Sequence, residues 1–182
     1  MTKFEPYYRI TNLLSNFIGK TMDTKNLTQV DHTAIKVNQA VIILLNIVAF
    51  ILNAPWLAGI VAIAMLIGTL VKAPGFKFVY RILRSAQIAK PDLLQDNPEP
   101  HRFAQGFGGV VMLAGTILLF SGADVIGWGL VWMVTALAAL NLFGGFCVGC
   151  AVYYWLSRLH VPGFTKKPPA NTLPGMRPKV KV

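Results

Sequence analysis

A chain of 182 residues that is 54% hydrophobic and only 13% charged is not an ordinary soluble domain, where about a quarter of residues carry charge. Its formal charge is +10, from 17 Lys and Arg against 7 Asp and Glu. With no basic and aromatic stacking module in view, that excess points to anionic lipid head groups and membrane topology, not to nucleic acid.

The chain opens on "MTKFEPYYRITNLLSNFIGK", which is not a cleaved export signal, because Glu5 and Arg9 interrupt the compact apolar run such a signal needs. Phe4, Tyr7, Tyr8, Leu14, Phe17 and Ile18 are expected to form the apolar side of a surface helix. Residues 1–30 therefore read as a cytoplasmic amphipathic segment. From 31 to 160 the chain reads as a membrane domain. Ala40 to Leu52 is uncharged with Asn46 as its one strongly polar residue, and Pro55 to Val71 is apolar except for Thr69. Phe107 to Phe120 and Val125 to Phe146 repeat the pattern, interrupted by Thr116, Thr135 and Asn141. With its flanks, each block reaches the roughly 20 residues a helix needs to cross a hydrocarbon core.

The expected fold is an all-α integral membrane protein. Four transmembrane helices form two tandem antiparallel hairpins, at about 34–72 and 103–146, with amphipathic interfacial segments. Asp31 or Thr33 caps the first helix, Asn53 and Pro55 open the second, and Asp124 caps the fourth. The loop 73–102 is basic and broken by prolines, and its middle, "FKFVYRILRSAQIAK", reads as a helix lying on the membrane surface. Residues 161–182 form a basic, Pro-rich tail expected to be flexible.

Orientation follows from the basic residues. Every Lys and Arg lies before the apolar block of the first helix, between the apolar blocks of the two hairpins or after the fourth helix, and neither short outer turn contains one. Both termini and the central loop are therefore expected in the cytoplasm. The hairpins also resemble each other. Asp31-His32 leads to Asn38-Gln39 as Pro100-His101 leads to Ala104-Gln105, and Trp56 matches Trp128. "APGFKFVY" aligns with "GGFCVGCAVYY", placing Lys77 and Tyr80 opposite Cys147 and Cys150. A duplicated two-helix unit, related by an axis along the membrane normal, is the expected origin.

The order "DHTAIKVNQA", a short Trp-headed hairpin, "PEPHRFAQGFG" and "GFCVGCAVYYW" resembles a bacterial family of small four-helix membrane proteins, catalogued as a domain of unknown function. The resemblance spans roughly residues 28 to 156. It implies residence in the bacterial cytoplasmic membrane. Relatives joined to, or encoded beside, thioredoxin-like or sulfur-handling proteins imply a partner of that kind.

"GGFCVGC" holds both cysteines of the chain. Gly144-Gly145 is expected to loosen the end of the fourth helix, with "CVGCAVYYWLSRL" continuing as a helix in the interface. Cys147 and Cys150 then share one face of a helix start, where the dipole favours a thiolate. Cys147 is read as the attacking thiol and Cys150 as the resolving thiol of a catalytic redox pair. The competing reading is packing, because Cys behaves as a small apolar residue and small residues let membrane helices approach closely. His32, His101 and His160 share the thiols' side and make with them a chemically adequate zinc set, in which His32 and His101 are weak metal candidates without a recognised ligand spacing. No cofactor motif is present. Ala151 after Cys150 argues against haem attachment, and a Walker A loop, a dinucleotide fingerprint and a serine elbow are all missing from the sequence.

Three functions remain open. The first is thiol–disulfide or persulfide exchange with a thioredoxin-like or sulfurtransferase partner. The second is a non-enzymatic accessory or scaffold subunit of a membrane complex or oligomer. The third is a small transporter for a neutral or sulfur-containing solute.

Overall fold

The computed structural model describes residues 27–169 and 172–178. The surface helix expected over the first residues lies outside them. Among the described residues the chain is mostly helical. The order is β1 (Thr28–Asp31), α1 (His32–Ile51), α2 (Pro55–Leu70), α3 (Lys77–Ser85), β2 (Leu93–Asp96), α4 (Pro98–Phe120), α5 (Asp124–Gly144) and α6 (Val148–Arg158). The sequence strand, long helix, helix, short helix thus occurs twice.

Three helices, α1, α4 and α5, are long and apolar enough to cross a membrane. The apolar α2 is shorter, at 16 residues. Their outward faces carry large apolar side chains: Val125 is 89% exposed, Phe143 83% and Leu70 80%. A water-soluble protein does not leave such a surface bare, and it suits a protein associated with a membrane. Inside, Ala49, Ala58, Val61, Ala62 and Met112 are fully buried, and α4 packs closely on α2 and α5. Polar contacts cross this core. The Asn46 amide donates to Thr135 Oγ1 at 2.9 Å, and that hydroxyl donates to Val131 O at 2.8 Å. Such hydrogen bonds tie helices together where water is absent.

The strands are the part the sequence does not show. β1 and β2 pair antiparallel, Thr28 opposite Asp96 and Asp31 opposite Leu93. Each has four residues, and they are separated by a whole helical hairpin, so no local alternation betrays them. Their pairing sets the first turn of α1 beside that of α4, and His32 N donates to Asp92 O at 2.9 Å.

The helix ends follow the sequence in part. Asp31 caps α1, its Oδ1 accepting from Thr33 N at 3.0 Å. The cap position of α2 is Ala54, not Asn53, which takes a left-handed φ of 44° in the turn, while Pro55 starts the helix as expected. Asp124 lies inside the first turn of α5, where its charge favours the helix dipole, and Ala123 is the cap. The expected surface helix is α3, which buries Tyr80 and exposes Phe78, Ile82 and its basic residues. At the far end of α5, Gly145 adopts φ 63°, a left-handed conformation that only Gly takes at little cost. That turn ends α5 and lets α6 begin at Val148.

Candidate functional site

The strand pair, the first turns of α1 and α4, and α6 meet at one end of the bundle. Cys147 is the N-cap of α6 and Cys150 sits in its first turn. The two are joined as a disulfide, with Cα atoms 5.2 Å apart. Cys150 N donates to Cys147 Sγ at 3.1 Å, so this sulfur occupies the place of a capping oxygen at the positive end of the helix. Gly149, between them, lies against Ala104 of α4, where an added Cβ would come within 2.5 Å of the Ala104 Cβ. That close approach lays the sulfurs against the first turns of α4.

There they meet His101. Its Nδ1 is 3.4 Å from Cys150 Sγ, and its Nε2 is 2.9 Å from Asp96 Oδ2. His32 Nε2 lies 3.1 Å from the same carboxylate oxygen, and the two imidazole rings stand edge to face with centroids 5.5 Å apart. Asp96 Oδ1 accepts from Asn97 N at 2.8 Å. Burial pushes the Asp96 carboxyl up, but its hydrogen bonds with His101 and His32 outweigh burial and hold it at about 2. An ionised Asp96 can only accept, so His101 Nε2 carries a proton. In a neutral imidazole the Nδ1 lone pair then faces Cys150, and in an imidazolium Nδ1 donates to it. Asn97 Nδ2 donates to Tyr154 OH at 3.3 Å and to Lys167 O at 2.8 Å. Burial pushes the Tyr154 phenol up to about 12, so it stays protonated.

The tail closes over this end. Cys147 N donates to Gly175 O at 2.7 Å, Arg177 N to Gly145 O at 3.0 Å, and Arg177 forms an ion pair with Asp92. This described stretch of the expected flexible tail is therefore hydrogen-bonded to the cysteine motif itself.

Two cavities flank the disulfide. One, of about 680 Å³, lies among α1, α4, α5 and α6, and Cys147 and His101 are in its wall. The other, of about 20 Å³, has room for about one water molecule and touches both cysteines, His101, His32 and Asp96. Cys147 borders both cavities, whereas Cys150 borders only the small one.

A family model matches residues 30–158, from β1 through the last residue of α6. The chain belongs to the family described as Domain of unknown function (DUF4395). No curated protein and no solved structure matches it. The DUF4395 region thus contains both strand–helix–helix–helix units apart from Thr28 and Gln29, and every residue of the site except those of the tail.

Of the residues the sequence singles out, Cys147, Cys150 and His101 come together, with donor atoms within 4.8 Å of one another. His32, Asp96 and His101 form a second such group, so His101 is common to both. His160 follows α6 with a left-handed φ of 57° and belongs to neither group. The expected set of two Cys and two His is therefore split. With the sulfurs joined, neither is a thiolate, and only the thiolate is a metal ligand. Sequence reading missed Asp96. The signal was present in "QDNPEPH", where Asn97-Pro98 marks a helix start and places an acid just before it and a histidine in the next turn.

Proposed function

We propose that this protein is a thiol–disulfide exchange protein of a bacterial cytoplasmic membrane, working through Cys147 and Cys150 at the cytoplasmic face. The observation that carries the reading is the contact of 3.4 Å from Cys150 Sγ to His101 Nδ1, with His101 held by Asp96 at 2.9 Å. A packing cysteine needs no oriented base, and a resolving thiol uses one.

The chemistry divides between the two sulfurs. An incoming thiolate attacks Cys147 Sγ, the S–S bond breaks, and Cys150 departs as a thiolate that takes a proton from the imidazolium Nδ1 of His101. In the reverse direction a partner is bound to Cys147 as a mixed disulfide. Neutral His101 takes the Cys150 proton at Nδ1, and Cys150 attacks Cys147 Sγ and expels the partner thiolate. The N–H groups of the α6 terminus favour the Cys147 thiolate. A persulfide partner can transfer sulfane sulfur to reduced Cys147: the Cys147 thiolate attacks the outer sulfur, the partner's S–S bond breaks, and the partner leaves as a thiolate. Thioredoxin-like proteins and sulfurtransferases are the partners this chemistry fits.

Four spans and a cytoplasmic site agree with several features. The strand pair holds the starts of α1 and α4 at one end of the bundle, so a chain that crosses in α1 returns in α2. The same holds for α4 and α5, because α6 and Cys150 lie beside His101. Lys72, Lys77, Arg84, Lys90, Arg102 and Arg158 flank that end, while the turns at 52–54 and 121–123 carry no basic residue, the asymmetry of a cytoplasmic face. The twofold recurrence of the element order supports duplication of a strand and three-helix unit.

A second reading, an accessory subunit whose cysteines only pack, is favoured by their burial, at 6% and 3% exposed. Alkylation of the folded protein in lipid nanodiscs, after poising in reduced and oxidised dithiothreitol, separates the two. Exchange predicts a single two-electron transition, with both thiols alkylated in the folded reduced protein. Packing predicts no alkylation until the protein is unfolded.

A further inference from the structure

We propose that the large cavity binds a lipid-soluble quinone, and that this quinone is the electron acceptor that oxidises the Cys147 and Cys150 thiols. The inference rests on the exchange reading above and names its oxidant. Three observations carry it. The cavity, about 680 Å³, is walled by Ile42, Met65, Val111, Val134 and Leu137, and its lining includes Phe107, Met133 and Val152, which are also exposed on the outer surface of the helices. It is thus lined by exposed apolar residues on one side and by exposed Lys72, Lys77 and Arg84 on the other, and its size suits a ring with part of an apolar tail.

Two atoms of its polar lining, secondly, are unsatisfied, one an acceptor and one a donor, as a quinol and quinone couple requires. Gln39 is 8% exposed, and its Oε1 is buried without a hydrogen-bond partner; Arg102 Nε is buried without an acceptor. Both residues line the cavity. A buried polar atom left unpaired is costly, so each calls for a ligand atom. A quinone carbonyl accepts from Arg102, and a quinol hydroxyl donates to Gln39. Thirdly, Cys147 borders the cavity, and both cysteines are largely buried. A carrier dissolved in the membrane reaches Cys147 from the side.

The step balances without further reagents. The Cys147 thiolate adds to the quinone ring and forms a C–S bond. His101 takes the proton of Cys150, and Cys150 attacks Cys147 Sγ. The disulfide forms, the C–S bond breaks, and its electron pair stays on the ring. The two protons that left the thiols complete the quinol hydroxyls. Two thiols and a quinone have become a disulfide and a quinol.

The test mixes the reduced protein in nanodiscs with decyl-ubiquinone under anaerobic conditions and follows quinone absorbance and free thiols together. The expected result is one quinone consumed for each thiol pair lost. Leu137→Trp, which fills the cavity from its lipid side, should slow that reaction about 100-fold and leave exchange with dithiothreitol unchanged. Gln39→Leu should raise the quinone concentration for half-maximal rate about tenfold, the worth of a hydrogen bond. The Cys147→Ser and Cys150→Ser double variant should still bind the quinone, measured by equilibrium partition. Exchange with dithiothreitol but no reaction with quinone overturns this inference alone, as does a reaction indifferent to Leu137→Trp or a cavity that copurifies filled with phospholipid. Loss of exchange with dithiothreitol overturns the reading beneath it instead.

Discussion

The two halves of the molecule each tie a long helix to a short one, by different chemistry. In the first, Asp31 caps α1 and accepts the hydroxyl of Tyr80 from the short helix α3. In the second, His101 in the first turns of α4 meets Cys150 of the short helix α6. Each half thus ties the start of a long helix to a short helix, through the phenol of Tyr80 in one and the sulfur of Cys150 in the other. The phenol is inert: burial pushes Tyr80 up, and its hydrogen bond to Asp31 pushes it further, so it remains a donor. Only the second half backs its contact with an ionised, buried carboxylate and places a second sulfur three residues away. A tie between a long helix and a short one is thus enough for the fold, and in the exchange reading proposed above the cysteine half carries function in addition.

The sharpest way to break this comparison is to replace the residues at these two contacts. Cys150→Ser should abolish disulfide formation outright, read as loss of the oxidised species on non-reducing electrophoresis, while Tyr80→Phe leaves exchange intact. A next, smaller effect is expected from His101→Asn, which keeps a hydrogen-bonding side chain but removes the base. Thiol exchange followed by stopped flow should slow by about 100-fold, within the usual range for a lost general base, and the pH dependence of the rate should flatten. If the rate falls but its pH profile keeps its shape, His101 only positions Cys150.

Acid should separate the halves thermodynamically. Asp96 is held at about 2 from an ordinary 3.8, so its ionised form favours the folded state above pH 3.8. That contribution, about 2 kcal/mol, fades as pH falls from about 4 through about 2. Thermal unfolding of Asp96→Asn should lack this acid-dependent component. Smallest is Tyr80→Phe itself, which removes one hydrogen bond and should cost about 1 kcal/mol without altering any redox readout. A larger cost would mean that the first half is more than a tie.

Much of this was legible along the chain because membrane helices announce themselves locally. A run of apolar residues bounded by Asp31, Pro55 or Asp124 is a signal complete within its own segment, and the cysteine spacing is another. What was not legible depends on distant partners. The four residues of β1 find those of β2 across a hairpin, and that pairing alone brings Asp96 and His32 together. His101 and His32 could be noted as possible ligands on the thiols' side, but the identity of the group between them was hidden. A single aspartate in a proline-rich loop reads as a solvated charge until the strand register buries it. The cavity was hidden for the same reason, since Gln39 and Gln105 appear in the sequence only as polar residues at helix starts.

The most direct test of the account is a redox titration of the folded wild-type protein in nanodiscs, trapping thiols by alkylation and assigning them by mass spectrometry. The account predicts one reversible two-electron couple confined to Cys147 and Cys150, with Cys147, at the edge of the large cavity, alkylated first on reduction. Thiols that neither oxidise together nor react until the protein is unfolded would contradict it.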